Sequence, residues 1–170
     1  MQEHLIIDGN NAMHAIPEIK KEMTLDRNLA RDSLLRMLEP LVSDGVRVTI
    51  VFDGREGKGS LQSYKRLDSY DIFYSSSSEA ADGAIERMVM AAKYPDRIIV
   101  VTNDNLIRNC AYQSGASAMR VEQLIKRLDY SIDQVARRAQ QIRTKGNKGD
   151  GAFHNRIEFP DPQDSNSNDE

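Results

Sequence analysis

The chain has no tryptophan, a single cysteine and few aromatic residues, 6% of the total. One cysteine excludes an intramolecular disulfide and a cysteine-based zinc site, and it fits a reducing compartment. Cys110 is expected as a small core residue on a helix. No apolar run approaches the roughly 20 residues of a membrane span, so no membrane partner is expected. The first residues run straight into a strand without a basic segment or a small-residue cleavage site, and a cytoplasmic location is the expectation. Histidine is scarce as well: His4, His14 and His154 show no pairing by spacing. No serine or cysteine sits in a recognisable nucleophile motif, which leaves metal-free hydrolysis without support.

What is present is charge, 29% of 170 residues, and enough apolar residues, 39%, for one domain with a real core. The net charge of −3 misleads about the body of the protein. Residues 150–170 hold six acids against Arg156, a net −5, which leaves +2 for residues 1–149. A mildly basic body with an acidic tail is compatible with a polyanionic partner without demanding one. Composition divides the chain into a domain over 1–145 and an acidic, low-complexity tail over 146–170. The tail is expected to be largely disordered, with a short island from Phe153 to Phe159.

The stretch Leu5 to Asn11 is an apolar run that ends in Asp8-Gly9-Asn10-Asn11 and reads as a buried strand delivering Asp8 to a sheet edge. In open α/β sheets ligands bind beyond the carboxyl ends of the strands. The plainer alternative is that Asp8 and Asn10 only stabilise a turn around Gly9. The same pattern recurs, however. Val46 to Phe52 ends in Asp53, and Arg97 to Val101 passes through Thr102-Asn103 to Asp104. Between these strands, Ala12 to Met23 is expected as a loop or short helical turn, and a helix begins near Asp26 and closes at Gly45. Asp71 to Ser75 reads as a short third strand, and Ala116 to Arg120 as a fifth. Helices are expected over Ala80 to Lys93, from Leu106 to Gly115, and as two stretches, Val121 to Leu128 and Ser131 to Arg143. Ser76 and Glu79 have capping-box spacing, a structural reason for Glu79. Asp82 lies one helical step before Ile85 and so continues the inward face of its helix.

Alternating strands and helices imply an α/β fold, a mainly parallel central sheet of about five strands with helices on both faces. Parallel strands share one carboxyl edge, so Asp8, Asp53 and Asp104 converge there, and Asp82 joins them from a helix start. Packed carboxylates repel unless a cation sits among them. Mg²⁺ or Mn²⁺ is the natural candidate, with its hard oxygen ligands, retained waters and affinity for phosphate oxygens. Asn10, Asn11, Asn103 and Asn105 would add neutral ligands for a phosphate.

Two basic regions are candidates for a nucleic-acid backbone, Lys58 with Lys65 and Arg66, and the face carrying Arg137 and Arg138. A solvated surface explains the second equally well. The Gly57-Lys58 loop is not a nucleotide-binding P-loop, because Phe52 and Gly59 stand where glycine and a hydroxyl residue are required. Phosphotransfer on a receiver-like or phosphatase-like sheet is disfavoured, since Asp8-Gly9-Asn10 and Asn103-Asp104 lack the paired acids those sites use.

The ordered set of Leu5 to Asn11, Ile50 to Asp53, Glu79 to Asp82, Val101 to Asp104 and Gly115-Ala116 resembles the NYN branch of the PIN-like nucleases. It is most similar to the YacP-like group, which includes a ribosome-associated endoribonuclease. The resemblance spans about residues 4 to 145. It implies a three-layer PIN-like fold, Mg²⁺ or Mn²⁺ dependence, and cleavage of single-stranded RNA, an mRNA or rRNA, to leave a 5′-phosphate. The ribosome is then a candidate partner. Carried over by position, Asp8, Asp82 and Asp104 would be the catalytic, metal-binding acids, with Asn11 near the metal or scissile phosphate and Asp53 and Glu79 as further candidates. Asn10 and Asn103 depart from the residues usual at their motif positions, but neither change removes an acid. A module of the same fold that binds RNA or the ribosome without cutting is the alternative.

Overall fold

The structure is a computed structural model that describes residues 2–54, 59–76 and 78–146. Six strands form one sheet: β1 (His4–Asp8), β2 (Arg47–Phe52), β3 (Ser60–Ser63), β4 (Tyr70–Tyr74), β5 (Ile98–Val101) and β6 (Ser117–Met119). Their order is β3-β4-β2-β1-β5-β6, and only the β3–β4 pairing is antiparallel. β1 is central, paired in parallel with β2 on one side and β5 on the other. After β1 the chain builds outward through β2 and β4, then returns to add β5 and β6 on the opposite side. The strand order therefore reverses at β1, the position where α/β sheets open a crevice at their carboxyl edge.

Helices cover both faces. Alternate residues of each strand point to opposite sides, and the two apolar clusters follow that alternation. Leu5, Ile7, Val48, Ile50 and Phe52 pack with residues of α1 (Gly9–Ala15), α2 (Pro17–Met23), α3 (Arg27–Ser43) and α6 (Val121–Gly146). On the other face, Ile6, Val51 and Val100 meet α4 (Ala81–Met90) and α5 (Asn105–Gln113). The buried Tyr70 hydroxyl donates to the Leu35 carbonyl at 2.6 Å and ties α3 to the sheet. No helix among the described residues is long and apolar enough to cross a membrane.

Several sequence expectations change. The sheet has a sixth strand, β3, whose four residues are all exposed and so carry no apolar signal. Ala12 to Met23 is two short helices, with the first starting at Gly9. The last two helical stretches are one continuous helix, α6. The capping box is not formed: Ala80 precedes α4 without a side-chain cap, and Glu79 instead pairs with Arg87 at 2.7 Å. Cys110 is only half-buried. Lys58 and residues 147–170, including the Phe153 to Phe159 island and the expected disorder of the tail, lie outside the described residues.

Candidate active site

The acids that end β1 and follow β2 and β5 each hold the start of a helix. Asp8 is the N-cap of α1, its Oδ1 accepting the Asn11 amide hydrogen at 2.9 Å. Asp104 is the N-cap of α5, accepting from the Leu106 N–H at 2.6 Å. Asp53 lies outside α4 in sequence but accepts the Ala81 N–H at 2.8 Å, the cap that Ala80 lacks. Short polar acceptors are favoured at such positions because the first helical N–H groups have no partner within the helix. The turn-stabilising role is thus real for all three acids. It also brings three helix starts, with their partial positive charge, to one edge of the sheet.

Two glycines make this approach possible. A Cβ on Gly9 would overlap the Phe52 ring and the Ile50 side chain, so only glycine lets α1 start flush against β2. Its backbone is not in the left-handed region; close approach, not turn geometry, is what this position requires. At Gly54 a Cβ would overlap the Ser75 carbonyl oxygen, and the Gly54 N–H donates to Ser75 Oγ at 3.2 Å, which fixes the chain directly after Asp53.

Together these elements enclose an open cleft of about 390 Å³ lined by Asp8, Asn10, Asn11, His14, Asp53, Ala81, Asp82 and Asp104. Larger cavities exist, such as an apolar one of about 440 Å³ between α3 and α6, but it holds no comparable set of polar groups. Asp8 lies deepest, only 4% exposed. Burial pushes its carboxyl up to about 6, and the nearby charges of Asp82 and Asp53 add to the rise, against the stabilising bonds from Asn11 and Thr102. Thr102, fully buried, donates its hydroxyl to Asp8 Oδ2 at 3.1 Å and accepts the Asp104 N–H at the same distance. Sequence reasoning recorded Thr102 only as part of a motif. Its role as the link between two of the acids depends on β1 and β5 being neighbours.

Asp82, in the first turn of α4, lines the cleft but is exposed, not carried inward as its helical spacing suggested. Its carboxyl is nevertheless raised, first by partial burial, then by Asp104, Asp53 and Glu86. None of the four cleft aspartates forms an ion pair among the described residues. Nor do any three histidine, cysteine or acidic side chains among the described residues stand in a shared chelating position.

The other candidate residues separate. Asn10 donates to Asp53 and accepts from Arg27, and Asn11 accepts the Asn103 N–H at 2.9 Å through its side-chain oxygen. Asn103 itself turns away from the cleft to the start of α6, accepting the Val121 N–H at 3.0 Å and donating to Glu122. Asn105 accepts from Arg108. Glu79 is outside the cleft lining and held by Arg87. Lys65 is paired with Glu39 at 2.5 Å and Arg138 with Asp44 at 3.1 Å, so neither is an idle cation. Arg66 follows Lys65 in a single 3-10 turn, and Arg137 is exposed on α6. Sequence reasoning passed over His14, one turn along α1 from Asn10 and Asn11, because a lone imidazole carries no spacing signal.

No curated protein matches the chain. Among solved structures it is similar to Rae1 (YacP) from Bacillus subtilis, with 26% identity, coverage of 87% of this chain and 86% of that one, and a TM-score of 0.65. A point variant of the same Bacillus subtilis protein superimposes with a TM-score of 0.68 at 24% identity, covering 82% of each chain. The family model described as the YacP-like NYN domain matches residues 5–158, which takes in the described strands and helices, save His4 at the start of β1, and the whole cleft. The chain therefore belongs to the YacP-like NYN domain family, a nuclease-like, RNA-related family.

Proposed function

We propose that the protein is a metal-dependent endoribonuclease that hydrolyses phosphodiester bonds in single-stranded RNA, an mRNA or rRNA, with the ribosome as a candidate partner. The observation that carries the reading is the cleft at the β1 switch point, where four carboxylates meet and none forms an ion pair among the described residues. An acid as buried as Asp8 is costly in its ionised form unless a cation joins it. A hydrophobic or hydroxyl-rich cleft would argue for other chemistry; this one offers hard oxygen donors.

Those donors fit Mg²⁺ or Mn²⁺. Mg²⁺ keeps waters and is commonly held by one or two carboxylates together with substrate phosphate. Asp8, Asp82 and Asp104 are the residues that would hold it. Asp53, which also lines the cleft, is a further candidate, whereas Glu79 lies outside the lining and is paired with Arg87. The bound ion would activate a water and offset the charge that builds on the phosphodiester. Asp8, held by Asn11 and Thr102, keeps its carboxylate fixed in orientation. Asn10 and Asn11 present amide groups to the substrate without repelling its phosphates. The three converging helix starts favour an anion beside the acids.

The test is incubation of the protein with structured and unstructured RNA plus Mn²⁺ or Mg²⁺, beside Asp8→Asn and Asp82→Asn. Cleavage is expected with wild type only, stopped by EDTA and reduced at least ~100-fold by either substitution, the scale of losing several kcal/mol of transition-state stabilisation. Cutting that survives both substitutions or ignores EDTA contradicts the mechanism. RNA binding without any cutting points to the non-catalytic module.

A further inference from the structure

We propose that the start of α3 forms the rim over which single-stranded RNA reaches the cleft, with Arg27 gripping a backbone phosphate beside the scissile one. This rests on the nuclease reading and assigns it a substrate-positioning residue. Arg27 Nη2 donates to Asn10 Oδ1 at 3.1 Å, and the Asn10 amide donates in turn to Asp53. The guanidinium is therefore fastened at the mouth of the cleft, one carboxamide away from its acids.

What sets Arg27 apart is a neutral partner that itself lines the cleft, for Arg36 and Arg108 also bond to neutral side chains but Ser33 and Asn105 are not among the cleft's lining residues. Arg47, Lys65, Arg87, Arg127 and Arg138 each end on a carboxylate at 2.5–3.1 Å. Arg27 is exposed and forms no ion pair among the described residues, although several carboxylates lie just beyond Asn10. The adjacent acid, Asp26, is occupied as the cap of α3, accepting from the Asn28 and Leu29 N–H groups. A guanidinium has five N–H donors, of which Asn10 takes one. The rest of the fork and the full positive charge are left for a bidentate oxyanion, and phosphate is the anion this geometry suits.

Of the basic positions expected from sequence, Lys65 and Arg138 already have a carboxylate partner.

The experiment measures binding of a single-stranded RNA by fluorescence anisotropy over a range of salt, and kcat and KM for its cleavage with Mn²⁺. The proteins are wild type, Arg27→Ala, Arg27→Gln, Arg27→Lys and Arg36→Ala. Arg36 is an exposed arginine of the same helix, bonded to Ser33 and lining a different cavity. The expected result is that Arg27→Ala and Arg27→Gln raise Kd and KM about tenfold with kcat little changed. The slope of log affinity against log salt should fall by about one phosphate contact. Arg27→Lys recovers part of the loss and Arg36→Ala none. The glutamine variant decides between grip and scaffold, because it keeps an amide donor for Asn10 without the charge. Wild-type Kd and salt slope in Arg27→Gln would overturn the proposal. RNA binding that depends on Arg27 in a protein that never cuts would leave it standing while refuting the nuclease reading, and a wild type that binds no RNA would overturn both.

Discussion

The two ends of the sheet treat acidic residues in opposite ways. At the amino end, Glu3 pairs with Arg127 at 2.5 Å and Asp71 with Arg47 at 2.7 Å, and the polar side chains close upon one another. At the carboxyl end, Asp8, Asp53, Asp82 and Asp104 share a cleft and bond to backbone N–H groups, a hydroxyl and a carboxamide, with no ion pair among the described residues. The Arg27 guanidinium stops at Asn10. Glu3 and Asp71 at one end are neutralised by arginines, and the other end gathers its carboxylates. Perturbed carboxylates of this kind cluster at functional sites.

The largest effect that can break this contrast is on stability without metal. The Asp8 carboxyl is raised from 3.8 to about 6 in the folded protein. The folded state thus holds the proton more tightly than the unfolded chain, and stability falls as pH rises from about 4 through 6. Above that range the full deficit, about 3 kcal/mol from the shift, is in force. Asp8→Asn removes the charge while keeping a competent N-cap. In EDTA its melting temperature is expected to exceed that of wild type by several degrees at pH 8 and to converge with it only below about pH 3.5. An advantage for the variant that is equal at both pH values would mean the acidic end carries no electrostatic strain.

Arg47→Ala sharpens the comparison from the other end, with a smaller effect. It leaves Asp71, 8% exposed, without its cation. The Arg47 side chain is 44% exposed, so the loss is expected at about 1–2 kcal/mol in a denaturant melt. RNA cleavage below the melting temperature should stay within twofold of wild type. A large fall in cleavage with stability unchanged would show that the two ends are not independent.

Much of this architecture was legible because the apolar runs of β1, β2 and β5 each stop at an acid. Period, composition and the shared edge of a parallel sheet then place Asp8, Asp53 and Asp104 together. What escaped had no local signal. The residues of β3, Ser60 to Ser63, are all exposed and make a strand only because β4 offers an edge. The polar Asp129 and Tyr130 separate the two apolar stretches that read as two helices, although α6 runs through them. The 3.6-residue period placed Asp82 inward, but it cannot report that the first turn of α4 lies at the open cleft. The pairings of Lys65 with Glu39, Arg138 with Asp44 and Arg27 with Asn10 join residues 26, 94 and 17 positions apart. Such partners are set by tertiary packing, which is why the pairings of Lys65 and Arg138 and the bond of Arg27 to Asn10 have no signal in the sequence.

The central claim is that the unpaired acids of the carboxyl edge receive a divalent cation, and Mn²⁺ binding followed by electron paramagnetic resonance at pH 7.5 tests it most directly. The account predicts that wild type takes up Mn²⁺, that Mg²⁺ competes for it, and that Asp8→Asn and Asp82→Asn each weaken the affinity at least ~10-fold while Arg47→Ala leaves it unchanged. Equal Mn²⁺ affinity in wild type, Asp8→Asn and Asp82→Asn would contradict it.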